Sequence, residues 1–182
     1  MAQKVAAFLR GINVGRAKRI AMADLRTLVE GLGYRNVRTV LNSGNVIFTV
    51  PSRIRGDEAL RIERAMATRL QVSSRVIVLS ASELAVAVEE NPLHKVASDP
   101  ARLLVAVLAS PEDRVRLRSM ARMNWAPEAF ALGPRVAYLW CPDGITRSPV
   151  AEAVGRMLGD RVTSRNLATM TKLNALLGHD AE

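Results

Sequence analysis

Among its 182 residues this chain has one cysteine and two histidines. One cysteine excludes an internal disulfide and a cysteine-rich metal centre. His94 falls in a stretch without periodicity and His179 near the tail, so neither is placed for a triad or a metal cluster, and no metal or cofactor is expected. Aromatic residues are few: two tryptophans, two tyrosines and three phenylalanines. That supply is poor for stacking nucleic-acid bases. Long apolar runs are missing too. Val5–Leu9 is only five residues long before Arg10, too short for a secretory core or a membrane span, so no membrane partner and a cytoplasmic location are expected. The phosphate-loop pattern G-x-x-x-x-G-K-[ST] is absent, which removes the commonest nucleotide fingerprint.

What is present suits a globular protein. Apolar residues make up 49% and charged residues 24%, which excludes wholesale disorder. Basic residues number 26 against 17 acidic ones, a net charge of +9. Only Lys4, Lys18, Lys95 and Lys172 are lysines, leaving 22 arginines. Two readings of that bias stand side by side: arginine codons are GC-rich, so base composition alone produces it, and the planar guanidinium fork suits phosphate and carboxylate. The excess runs over both halves, +6 for residues 1–91 and +3 for 92–182. An anionic small molecule is therefore the expected partner; nucleic acid is the less favoured one, because no basic tail or continuous stripe stands out.

Patterning gives an α+β chain. Val5–Leu9 reads as a buried strand. Met22, Leu25, Leu28, Val29 and Leu32 recur at helical spacing, with Gly33 as the expected C-terminal cap. Val37–Leu41 and Val46–Val50 read as strands joined by the turn Asn42-Ser43-Gly44-Asn45, with Pro51 closing the pair. Ala59, Ile62, Met66 and Leu70 mark a second helix, Arg75–Leu79 another strand, and Ser80 with Glu83 a capping box for a third helix. Residues 91–101, with Pro92 and Pro100, read as a linker. The same order then returns. Leu103–Leu108 is a strand and Ser110-Pro111-Glu112-Asp113 a helix start. Glu128–Leu132 and Val136–Trp140 are paired strands around Gly133-Pro134. Ser148-Pro149 opens a helix with Val150, Val154 and Met157 inside. Arg161–Thr163 is a last strand, and Leu173, Leu176 and Leu177 lie on a closing helix. The expected fold is two ferredoxin-like (β-α-β-β-α-β) halves packed together, residues 1–90 and 102–182, repeating topology but not sequence.

Several blocks carry a family resemblance. They are Phe8-Leu9-Arg10-Gly11-Ile12-Asn13-Val14-Gly15, Met22-Ala23-Asp24-Leu25-Arg26, Leu32-Gly33-Tyr34, Ser43-Gly44-Asn45-Val46, Pro142-Asp143-Gly144 with Ser148, and Thr163-Ser164-Arg165-Asn166 with Thr169 and Lys172-Leu173. Together they resemble the bacterial domain-of-unknown-function family sixteen-ninety-seven over nearly the whole chain. The resemblance implies a duplicated ferredoxin-like α/β fold and no assigned activity. Arg16 stands where the family usually has glycine, and Leu167 where it usually has tryptophan.

Three places carry candidate chemistry. The loop Arg10–Arg19 holds Arg10, Arg16, Lys18 and Arg19 with no acid, and Asn13 offers donor and acceptor between Gly11 and Gly15. Such a loop between a strand end and a helix start suits an anion; as plain structure, its glycines set a turn. Asn42-Ser43-Gly44-Asn45 and Thr163-Ser164-Arg165-Asn166 are rich in small polar groups that suit either turn chemistry and capping or a ligand site. Arg165 between a hydroxyl and an amide is a natural anion clamp. The expected ligand-binding set is Arg10, Asn13, Lys18, Ser43, Asn45, Arg165 and Asn166. The third place, Cys141-Pro142-Asp143-Gly144-Ile145-Thr146-Arg147-Ser148, fits C-x5-R-S, the phosphate loop of cysteine-dependent phosphatases. There Cys141 is the candidate nucleophile, Arg147 the clamp and Ser148 the donor that lowers the thiol pKa. Against this, Pro142 removes a cradle amide, the loop comes late in the chain, and no general-acid Asp-Pro pair follows. Read as structure, the same segment is a strand end, a turn and a helix start.

Overall fold

The structure, a computed structural model, describes residues 2–15, 18–52 and 55–179. Arg16, one of the two departures from the expected family pattern, lies outside the described residues, as does the side chain of His179. The chain divides into two compact units, Met1–Ser82 with Ala175–Glu182, and Glu83–Asn174.

In the first unit β1 (Gln3–Leu9), β2 (Arg35–Val40), β3 (Asn45–Val50) and β4 (Val76–Ser80) form an antiparallel sheet in the order β2-β3-β1-β4. Helix α1 (Met22–Glu30) links β1 to β2, and α2 (Glu58–Ala65), continued by a π-helical turn to Leu70, links β3 to β4. This is the split β-α-β pattern of a ferredoxin-like sheet. Val5, Ala7 and Leu9 meet Val46, Phe48 and Val50 on one face, where Leu25, Leu28, Val29, Ile62 and Met66 cover them. Ala6, Phe8, Ile47 and Leu79 on the other face are buried as well. Burial on both faces is why β1 reads as a continuous apolar run instead of an alternating one. α1 stops at Glu30 with Gly31 as its C-cap at φ −64°. The left-handed residue is Gly33, at φ +88°, placed where the chain turns back toward β2.

The second unit repeats the design. β5 (Leu103–Leu108), β6 (Ala129–Leu132), β7 (Val136–Trp140) and β8 (Val162–Asn166) form an antiparallel sheet in the order β6-β7-β5-β8. After β5, Ser110 and Asp113 form a reciprocal capping box, and a 3-10 turn leads into the short helix α4 (Arg114–Leu117). α5 (Pro149–Leu158) joins β7 to β8. Its buried residues are Val150, Val154 and Leu158; Met157, expected inside, is 38% exposed because it falls off that stripe. β8 extends to Asn166 instead of ending at Thr163, and α6 (Leu167–His179) follows with Leu173 and Leu177 buried.

α3 (Ala81–Glu89) decides where the chain divides. The Tyr138 hydroxyl donates to the Ala87 carbonyl (2.8 Å), and Arg135 pairs with Glu83 (2.5 Å), so most of α3 belongs with the second sheet. Residues 91–101 are then no linker. Asn91 and Leu93 are buried, and the Asn91 Oδ1 accepts the Leu93 amide (2.9 Å). At the other end of the chain Lys4 Nζ donates to the Leu177 carbonyl (3.0 Å), tying the last turn of α6 to the first unit.

Candidate functional site

The register sets the stage in the first unit. Phe8 pairs with Asn45, Leu9 with Val76 and Val40 with Asn45, so the exits of β1 and β2 and the entries of β3 and β4 share one end of the sheet. The loop after β1 and the turn after β2 therefore meet. The Leu9 amide donates to Gly44 O, the Arg10 amide to Arg75 O, and the Ser74 hydroxyl to Arg10 O.

Asn13 locks this junction. Its Nδ2 donates to Ile20 O (3.0 Å) and Asn42 O (2.8 Å), its Oδ1 accepts the Ile20 amide (2.9 Å), and its own amide donates to Lys18 O (3.0 Å). Asn13 holds φ +54°, a left-handed backbone that asparagine tolerates through such local bonds. Both of its amide donors are engaged, so Asn13 shapes the loop. Gly44, at φ +81°, underlies the same junction: a Cβ there would stand 2.5 Å from Ile12 Cδ1 and 2.9 Å from Leu9 Cβ. Asn45 is wholly buried and donates to Val40 O (2.8 Å) and Ser43 Oγ (3.0 Å), so it too is scaffold. Ser43 is exposed on the turn.

What the loop presents outward is different. Arg10, Lys18 and Arg19 are exposed, and so are Gly11, Val14 and Gly15. Among the described residues the backbone N–H groups of Gly11, Val14 and Gly15 donate to no acceptor, and Lys18 and Arg19 enter no ion pair. Arg19 Nη2 donates to Gly15 O (3.0 Å), which holds a guanidinium against the loop at Gly15. Arg19 was absent from the expected ligand set; its four-residue spacing from Gly15 is a signal only once the loop conformation is known.

The surrounding charge is lopsided. Residues 1–23 contain Lys4, Arg10, Arg16, Lys18 and Arg19, and residues 31–56 contain Arg35, Arg38, Arg53 and Arg55; neither stretch holds an acid. Those nine cations equal the whole net charge of +9, so the rest of the chain is neutral. Averaging over halves hides this. The two stretches supply β1, β2 and β3, neighbours in one sheet.

Arg165 and Asn166 lie in the second unit. Arg165 sits on β8, not in a turn, where its Nη1 donates to Ser164 O (2.8 Å) and Thr163 Oγ1 (3.1 Å). Burial pushes its pKa down to about 10. Asn166 Oδ1 accepts the Thr169 amide (2.9 Å), the bond of a residue capping the start of α6.

The Cys141–Ser148 segment is built as core and cap. Cys141 is fully buried among Leu104, Leu139, Val150 and Val154. Its thiol donates to Ser148 Oγ (3.3 Å), with Leu139 O at 3.6 Å, and burial raises its pKa despite the Ser148 contact. Ser148 Oγ accepts the Ala151 amide (3.1 Å) as the N-cap of α5, and the Val150 amide goes to the Glu128 carboxylate (2.9 Å). A side chain of the protein thus occupies the helix start where a phosphate would sit. The Gly144 and Ser148 amides close turns onto Cys141 O and Ile145 O, Pro142 O accepts from Arg102, and Arg147 is exposed. These bonds leave a protonated, enclosed sulfur instead of a thiolate over an amide cradle.

Trp140 is buried, and Trp125 donates from Nε1 to Met120 O (2.9 Å), so both tryptophans serve packing. Among the described residues no three His, Cys, Asp or Glu side chains are placed to hold a metal ion, and no helix is long and apolar enough to cross a membrane.

Comparison with known proteins agrees with the architecture. The chain is similar in structure to a conserved bacterial protein, SP0830 from Streptococcus pneumoniae. The TM-score is 0.74 at 21% sequence identity, covering 97% of this chain and 99% of that one. At that identity the likeness establishes the fold alone. No curated protein matches the sequence. Residues 2–138 match the model of a protein family of unknown function, DUF1697. With that match spanning most of its length, the chain belongs to the DUF1697 family.

Proposed function

We propose that the protein binds an anionic, phosphorylated small ligand at the loop after β1. The observation that carries this reading is that one loop presents both exposed backbone N–H groups at Gly11, Val14 and Gly15, unengaged among the described residues, and the exposed Lys18 and Arg19 cations. Charged donors make the stronger hydrogen bonds to phosphate oxygens. Preorganisation adds to this: Asn13 is bonded to Lys18, Ile20 and Asn42 without a ligand, so these positions need little further ordering on binding. Arg10 and Ser43 flank the loop on the same end of the sheet, while Asn13 and Asn45 form the frame beneath.

Thermal unfolding with inorganic phosphate and pyrophosphate, against chloride at matched ionic strength, tests this. Ligand at a hundred times its Kd stabilises by about 2.7 kcal/mol, which raises the Tm of a chain this size by about 5–10 °C. The double variant Lys18→Gln, Arg19→Gln is expected to abolish the rise. An equal rise in that variant, or none in the wild type, refutes the reading.

A further inference from the structure

The charge map reaches further than one loop. Of the strands drawn from the acid-free stretches, β2 is a sheet edge, paired only with β3, and Arg35 and Arg38 on it are exposed. β2 ends at Val40, beside the turn that Asn13 joins to the Lys18–Arg19 loop. Exposed cations thus stand at the start and near the middle of an edge strand and on the loop joined to its far end. Six strand residues extend roughly 20 Å, and a nucleic-acid duplex presents one charge per about 1.7 Å of axis. A single small anion cannot engage a row of that length; a polymer of phosphates can.

We infer that this edge and end of the first sheet dock the sugar-phosphate backbone of a duplex nucleic acid without reading its sequence. The inference rests on the anion reading of the same loop and extends it along β2. Single strands are the poorer match. The aromatic residues of the first unit are Phe8, Tyr34 and Phe48, all buried, so bases find no ring to stack on. An anionic lipid surface is also the poorer match. Val14 and Leu41 near the loop are exposed, but Val96, Val115 and Met123 elsewhere are comparably so, and the apolar exposure marks out no inserting tip. A third role for edge-strand arginines is to discourage pairing with other chains, and the experiment separates it.

Fluorescence anisotropy with two labelled 24-base-pair duplexes of unrelated sequence, from 50 to 200 mM salt, is the test. Four neutralised phosphates, one each for Lys18, Arg19, Arg35 and Arg38, give a log–log salt slope of about −3.6, roughly a 150-fold loss of affinity over that range. Both duplexes are expected to bind alike. Arg35→Gln, Arg38→Gln is expected to flatten the slope by about 1.8 while leaving the pyrophosphate stabilisation intact. No binding at 50 mM salt, a slope unchanged in that variant, or a tenfold preference between the duplexes overturns the inference. So does a variant that aggregates yet binds duplex as before, which assigns the arginines to edge protection. Binding to vesicles of anionic phospholipid without binding to duplex overturns it in favour of a membrane. If pyrophosphate stabilises the protein and duplex does not bind, only this extension fails; if neither acts, the small-ligand reading fails with it.

Discussion

Replacing Asn13 by alanine tests whether the loop after β1 is locked by a side chain, as its bonds indicate. The substitution removes two Nδ2 bonds, to Ile20 O and Asn42 O, and the Oδ1 bond from the Ile20 amide. A net hydrogen bond contributes about 0.5–1.5 kcal/mol. The site is only half-buried, so the lower part of that range applies and the three together give about 2 kcal/mol. Alanine must also hold φ +54°, which costs about 1 kcal/mol more without a polar side chain to stabilise it. The expected loss is about 3 kcal/mol. Asn13→Gly loses the same bonds but tolerates the backbone, so it should lose about 2 kcal/mol. Asn13→Asp keeps the shape but sets a carboxylate against the Ile20 and Asn42 carbonyls and a negative charge inside the anion loop. It should destabilise comparably and suppress pyrophosphate binding. Urea denaturation followed by far-ultraviolet circular dichroism gives the stabilities, since Trp125 and Trp140 both report on the second unit. Amide exchange at Ile20 then localises the loss. An alanine variant within 1 kcal/mol of wild type, about the size of one hydrogen bond, or a glycine variant no better than alanine, refutes the lock.

Two further outcomes follow from packing and burial. Gly44→Ala sets a methyl 2.5 Å from Ile12 Cδ1 at φ +81° and should cost about 3–4 kcal/mol. Adding Ile12→Ala should cost less there than in the wild type, by more than 1 kcal/mol in a double-mutant cycle; strict additivity contradicts the contact. The Cys141 thiol should resist alkylation at pH 8 in the native protein and react promptly in denaturant. Its folded pKa is raised by burial, so the unfolded chain loses the thiol proton first. Wild type should therefore lose stability relative to Cys141→Ala as pH rises past the ordinary thiol value of 9.0. Native alkylation as fast as that of a free thiol, or parallel pH curves, contradicts the enclosed sulfur.

Much of the fold was legible because its signals are short-range. The apolar runs of β1 and β5, the Asn42–Asn45 turn, the Ser110-Pro111 helix start and the Ser148-Pro149 helix start each depend on a few neighbouring residues, and each stands where patterning puts it. The ordering of these elements gave the repeated ferredoxin-like topology. Boundaries set by distant contacts were not legible. Glu83 at the start of α3 also pairs through its carboxylate with Arg135, 52 residues away, and the Tyr138 hydroxyl fastens Ala87 to the same sheet. Residues 91–101 read as a linker because buried Asn91 and Leu93 carry no periodic signal.

The candidate site divides along similar lines. Composition and the order of residues by themselves determined the strands, the turns and the presence of an acid-free, arginine-bearing loop. Tertiary structure alone decided what each polar group does. Sequence cannot distinguish an asparagine whose amide is engaged from one that is open. Folding engages the donors of Asn13, encloses Asn45 and Cys141, and gives the start of α5 to Glu128. It also places two distant acid-free stretches side by side as β1, β2 and β3. The physical reason is that hydrogen bonding and desolvation depend on which groups meet, whereas secondary structure depends mainly on the spacing of apolar residues along the chain.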